Sequence, residues 1–224
     1  VVTAVVLEYI SVLRDHGFPV SESPLAAASE RAVAYLDRVY FSTEKSWSGL
    51  SLPQYLFVRS LYPDLPLASD PDRKTLKTFA KTVRKYLLGH EADAQGYIHY
   101  KARRAMTLLN FIGDAGARNL TGNNAGAFLN SVKVKSGRKY ISGLDRYMSS
   151  LKEYAVAHRS GGKYFPNAVM PFRGLLESEL YAHSVLARLM SDYAGYAGDA
   201  EAADIADGVR LWIMVQKETQ AWDS

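Results

Sequence analysis

Asp70-Pro71-Asp72-Arg73-Lys74-Thr75-Leu76-Lys77-Thr78-Phe79-Ala80-Lys81-Thr82-Val83-Arg84-Lys85-Tyr86-Leu87 places its large apolar residues at Leu76, Phe79, Val83, Tyr86 and Leu87. That spacing has the period of an α-helix and not the alternation of a strand. Asp70-Pro71 supplies a start signal, because proline is compatible with a first helical turn. The residues between are Arg73, Lys74, Lys77, Lys81, Arg84 and Lys85, the densest basic stretch of the chain. Their helical recurrence reads as the solvated face of an amphipathic helix. No aromatic platform is interleaved with them, so nucleic-acid binding is not expected.

The same reading extends in both directions. Upstream, Val5, Val6, Tyr9, Ile10, Val12 and Leu13 form a helix over about 3–15, ended by Gly17 and Pro19. Ser21 or Ser23 caps the next helix, with Pro24 in its first turn and Leu25, Ala28, Ala32, Tyr35, Leu36 and Val39 on one face. A third helix starts at Leu52-Pro53, and Tyr62 to Pro66 is a loop. Downstream, helices are expected over about 97–112, 125–132, 142–157 and 174–193, and from about Asp199 onward. Val132-Lys133-Val134 is the one place where a short strand is considered, and Gly161 to Pro166 breaks the chain. Helix pairs therefore recur at roughly 40-residue spacing, the signature of stacked helical hairpins, in a solenoid or a closed α/α ring. No solenoid consensus repeats, so a toroid is preferred within an all-α fold.

The bulk composition agrees. The 224 residues are 48% hydrophobic and 22% charged with a net charge of +4, which is ordinary for a globular chain. The length suits one helical domain over 1–224. No segment reaches the roughly 18 consecutive apolar residues of a membrane span. There is no cysteine, which rules out disulfides, thiol nucleophiles and thiolate metal sites within this sequence. Val1 to Glu8 lacks the features of a signal peptide and opens inside a helical pattern, so the sequence reads as a piece of a longer protein.

Chemistry-bearing groups are sparse. The histidines are His16, His90, His99, His158 and His183, none in an HExxH arrangement. Glu179 and His183 stand four apart and could share a metal or act as base and orienter. A surface i,i+4 pair is the preferred reading, with little consequence for His183→Ala. Asp145, Glu153, Glu177 and Glu179 are the acids near the aromatic Tyr164-Phe165 turn, where a glycosidase would need a carboxylate pair. Glu177 and Glu179 point to different faces of one helix. No phosphate loop, dinucleotide fingerprint or nucleophile elbow is present. Asn119-Leu120-Thr121 matches a glycosylation acceptor, a pattern too common to carry weight. Catalytic, cofactor and metal residues are therefore none.

The C-terminal run Leu211-Trp212-Ile213-Met214-Val215-Gln216-Lys217-Glu218-Thr219-Gln220-Ala221-Trp222-Asp223-Ser224 resembles a segment of bacterial α-2-macroglobulin-like proteins, in the form found in Bacteroidetes. Three further blocks follow in the family's order. They are Thr3 to Tyr9 with Arg14 to Val20, Tyr100-Lys101-Ala102 to Gly113-Asp114, and Lys163-Tyr164-Phe165 before Glu177-Ser178-Glu179. The resemblance implies an α/α toroid of helical hairpins, like terpenoid cyclases and complement thioester domains, whose ring can be incomplete in this fragment. It also implies an exported parent, periplasmic or at the cell surface, that traps proteases. The family's thioester needs a Cys-x-x-Gln pair, which this sequence lacks. Trp212, Gln216, Thr219 and Trp222 then have structural roles. The expectation is a non-enzymatic scaffold without cofactors, partnered by neighbouring domains of the parent and, through the parent, by target proteases, with no nucleic-acid or membrane contact. Exposed apolar patches follow from docking against neighbours. The alternative is a carbohydrate-active α/α-toroid enzyme, a glycosidase or lyase, with two carboxylates across an aromatic cleft.

Overall fold

The computed structural model describes residues 2–42, 49–88, 98–112, 126–134, 138–166, 168 and 179–216. These are mostly helical: α1 (Val2–Asp15), a single 3-10 turn (Val20–Glu22), α2 (Pro24–Phe41), α3 (Leu52–Leu61), α4 (Arg73–Leu88), α5 (Ile98–Ile112), α6 (Ala127–Ser131), α7 (Arg138–Glu153), β1 (Val156–Ala157), β2 (Lys163–Tyr164), α8 (Glu179–Ala197) and α9 (Ala200–Val215). No helix among the described residues is long and apolar enough to cross a membrane. The chain divides into two compact units. One holds residues 1–86, 110–112 and 118–136, the other 87–109, 113–117 and 137–224.

In the first unit, local capping fixes where helices begin. The Ser23 hydroxyl accepts the Leu25 N–H at 3.2 Å with Pro24 behind it, and the Ser51 hydroxyl accepts the Gln54 N–H at 3.4 Å. Such caps satisfy main-chain donors that a helix start leaves open. The fourth helix starts later than Asp70-Pro71 suggests. Its cap is Asp72, whose Oδ1 accepts the N–H groups of Lys74 at 2.8 Å and Thr75 at 3.1 Å. Helices α1, α2 and α3 pack together through Leu7, Ile10, Val33, Leu36, Leu56 and Val58. The Tyr62 hydroxyl donates to the Leu7 carbonyl at 2.9 Å, and the Arg14 guanidinium donates to the Leu61 carbonyl at 3.2 Å. Short α6 is held by the Phe128 N–H on the Pro63 carbonyl, at 3.0 Å. Val132 and Lys133 form a turn, so the strand considered there is absent.

The second unit is built on the α8–α9 hairpin. Gly198 makes the turn with φ 66, the left-handed region where glycine carries no side-chain penalty, and Asp199 caps α9 by accepting the Ala202 N–H at 3.0 Å. The two helices bury Ala182, Leu186, Leu189 and Met190 with Ile205, Val209 and Trp212. Helix α7 is tied in at its middle and at its C-terminal end. The Tyr193 hydroxyl donates to Asp145 at 3.0 Å, and the Lys152 ammonium lies 2.7 Å from both Asp199 and Glu201. Burial, with Asp145 beside it, pushes the Tyr193 phenol up to about 12.

The chain leaves α7 earlier than expected, because Val156-Ala157 pairs with Lys163-Tyr164 as an antiparallel hairpin. This hairpin lies against α9 at very short range. A Cβ on Gly162 would stand 2.8 Å from the Trp212 nitrogen and 2.9 Å from the Gly208 carbonyl oxygen. Both are main-chain atoms that cannot swing aside, so Gly162→Ala is expected to cost about 1–3 kcal/mol of stability through overpacking. Urea unfolding checks this; an unchanged midpoint would mean that the hairpin does not sit this close.

Candidate functional site

Three arrangements of polar groups merit consideration, each inside one unit. The first surrounds His183, which is fully buried on α8. Its Nε2 accepts the Phe165 N–H at 3.0 Å, and its Nδ1 lies 2.7 Å from the Glu179 carbonyl oxygen. An acceptor role at Nε2 assigns the proton to Nδ1, the donor to Glu179, and makes the ring neutral. Burial lowers its pKa from the ordinary histidine value. The ring lies 4.2 Å from the Trp212 ring, which stacks on Tyr164 at 5.9 Å. His183 therefore pins the chain after β2 onto α8 and α9. This corrects the expectation of a surface pair: Glu179 contributes its carbonyl, and the imidazole faces the core because it shares a stripe with Leu186 and Met190.

The other sequence-named groups do not converge around it. Phe165 is fully buried, and Trp212 closes over Tyr164, so this aromatic turn is packed core and not an open sugar cleft. Asp145 and Glu153 stand eight residues apart on α7, about 12 Å along the axis, and Asp145 is occupied by Tyr193. His16 bonds the Val12 carbonyl oxygen, and His158 the Ser160 hydroxyl, each at 2.8 Å. Gln216 caps the end of α9. His90, Glu177, Thr219, Trp222, Asn119 to Thr121, Gly113-Asp114 and the His99 side chain lie outside the described residues. Among those described, no group of three or more His, Asp or Glu could hold a metal ion.

The second arrangement is one that sequence reasoning missed. Asp37 and Arg59 are both fully buried in the first unit, with Arg59 Nε 3.5 Å from Asp37 Oδ1. Asp37 accepts the Tyr55 hydroxyl at 2.7 Å and the Ala68 N–H at 2.8 Å. The guanidinium donates to the Leu65 carbonyl and lies 4.2 Å over the Phe128 ring. Arg59 Nη1 has no hydrogen-bond partner among the described residues, so the aromatic face compensates part of its charge. Burial lowers the Arg59 pKa, opposed by Asp37. Burial raises the Tyr55 pKa well above the ordinary phenol value, reinforced by Asp37. Every group here is directed at helices or at the 65–68 segment. The arrangement fastens that segment to α2 and α3 and presents nothing to solvent.

The third is an open groove of about 670 Å³ between the end of α2, the start of α3 and α4. Phe41, Tyr40, Phe79 and Leu52 give it apolar walls, and Thr75, Thr78 and Thr82 line one side. Tyr40 stacks on the fully buried Tyr55 at 4.1 Å, which backs this wall with packed core. Lys74 and Asp72 stand at one end. Hydrogen bonds from the Thr75 hydroxyl and from the main chain hold the Asp72 carboxyl below the usual range. This is the arrangement that a soluble ligand can reach.

Comparison with known proteins adds no relative: no family model, no curated protein and no solved structure matches the chain.

Proposed function

We propose that this chain is a non-catalytic helical scaffold that docks onto neighbouring domains of a larger, exported protease trap of the α-2-macroglobulin kind. The observation that carries the reading is helix α1, which is apolar on two faces. Ala4, Leu7 and Ile10 are buried inward, while Val2, Val5, Val6, Tyr9 and Leu13 form a second stripe that is exposed, Tyr9 to 68%. A helix with apolar stripes on two opposite faces favours a covering on both sides. Leu211, Met214 and Val215 add a second exposed apolar stretch on α9. The helical hairpin α8–α9 is the unit from which an α/α toroid is assembled, and the ring is part of this proposal. The kind of parent rests on the order of the four sequence blocks.

Two tests apply. Within the parent protein, Val6→Lys combined with Tyr9→Lys is expected to loosen the module and speed its release by limited proteolysis, with folding of the module itself unchanged. Identical digestion patterns would sink the docking role. An endopeptidase added to the parent is expected to convert it to a more compact form that retains the protease. Simple fragmentation without that change would reject the trap and return the carbohydrate-active alternative, to be assayed as release of reducing ends from polysaccharides.

A further inference from the structure

Helix α4 carries three stripes. At about 3.6 residues per turn, Leu76, Phe79, Ala80, Val83 and Tyr86 share the inner one, and Thr75, Thr78 and Thr82 share the flank that lines the groove. The outer arc holds Arg73, Lys74, Lys77, Lys81, Arg84 and Lys85, of which all but the half-buried Arg84 are exposed. The helix contains no acidic residue. None of these six cations forms an ion pair with a carboxylate among the described residues. Arg73, Lys77, Lys81 and Lys85 are successive i,i+4 neighbours, about 6 Å apart along the axis. Like charges at that spacing repel, so an anion that spans several of them is favoured. The surface charge and the groove adjoin along the threonine row, with Lys74 belonging to both.

We infer that this face binds an anionic polysaccharide, its acidic groups on the α4 cations and its sugar rings in the groove beside the threonine row. Several observations favour this occupant over other polyanions. A linear chain with an acidic group on each ring can meet a straight ladder of cations one after another. The groove offers such rings what they bind: apolar ring surface for their C–H faces, from the half-buried Phe41, and threonine hydroxyl oxygens that can accept from their hydroxyls. Successive nucleic-acid bases need successive open aromatic faces to stack on, and with Phe79 and Tyr40 each only 6% exposed, Phe41 is the one groove ring that offers a face. Asp72, the one carboxylate in the lining, is engaged by the Lys74 and Thr75 N–H groups and the Thr75 hydroxyl, at the end of the groove. It therefore leaves the rest of the cation ladder free to bind.

Affinity electrophoresis of the 224-residue chain tests this with five probes: oligogalacturonate, sulfated dextran, neutral dextran, polyglutamate and single-stranded DNA. At least one of the two anionic polysaccharides is expected to bind about tenfold more tightly than the other three probes; which of them does so separates a carboxylate ligand from a sulfate one. Lys77→Glu with Lys81→Glu should weaken that binding about tenfold or more, with the helical circular dichroism unchanged. Lys77→Gln with Lys81→Gln serves if the charge reversal fails to fold. Thr78→Trp fills the groove and keeps every cation; it should weaken polysaccharide binding while leaving any residual polyglutamate binding as it was. Equal or tighter binding of polyglutamate or DNA, no binding of any probe, or an unaltered Thr78→Trp variant would each overturn the inference.

Discussion

Asp37→Ala is expected to lower stability by about 3–5 kcal/mol, because it removes one partner of a buried ion pair and leaves the other charge in place. Arg59 is fully buried, its Nη1 already lacks a hydrogen-bond partner among the described residues, and only Phe128 and the Leu65 carbonyl would remain to it. The Ala68 N–H and the Tyr55 hydroxyl would lose their acceptor together. Tyr55→Phe, which removes one hydrogen bond, should cost only about 1 kcal/mol. Replacing both charges, Asp37→Leu with Arg59→Met, should recover the part of the loss due to the stranded guanidinium, while the Ala68 N–H and the Tyr55 hydroxyl stay without their acceptor. Urea midpoints of the three variants check the order. A single Asp37→Ala effect below that of Tyr55→Phe would show that the guanidinium is solvated after all.

The second large effect is at His183. His183→Ala would open a cavity beside Trp212 and leave the buried Phe165 N–H unpaired, for a combined loss of about 3–5 kcal/mol. The pH dependence separates this site from ordinary packing. The ring is neutral when folded and its pKa is lowered, so above the unfolded value of about 6.5 both states are neutral and the full stability is present. As pH falls below that, the unfolded chain takes up a proton that the folded chain resists, and stability is lost until the folded pKa is passed. The wild type should therefore weaken on mild acidification more than His183→Gln does. Parallel curves for the two would show that His183 is solvent-accessible.

The helices were largely legible because their apolar residues recur with a period that only a helix can bury. Of the two serines offered ahead of Pro24 it is Ser23 that caps α2, and α3 begins at Leu52-Pro53 as expected, with Ser51 as its cap. The β1–β2 hairpin was not legible: two-residue strands carry no alternation to read, and their pairing is set by contact with α9 through Gly162. The pairing of Val156-Ala157 also ends α7 at Glu153. Asp37 and Arg59 are marked in the sequence only by their places on core stripes. Asp37 sits four residues after Val33, on the stripe that buries Leu36 and Tyr40, and Arg59 sits four after Tyr55 in a helix buried from Tyr55 to Leu61. An ionisable residue on a core stripe implies a partner, but the sequence does not say which. His183 misled for a related reason. Spacing places Glu179 within reach, whereas its carbonyl, not its carboxylate, is what the ring takes.

The Phe165 amide bonds to an imidazole nitrogen where most buried amides meet a carbonyl. A carbonyl is indifferent to mild acid, but an imidazole can be titrated. The second unit thus contains a main-chain resonance whose chemical shift and solvent exchange are chemically coupled to one side chain. In a nuclear magnetic resonance spectrum, that single cross-peak would report whether the hairpin is seated, without any label attached to the protein.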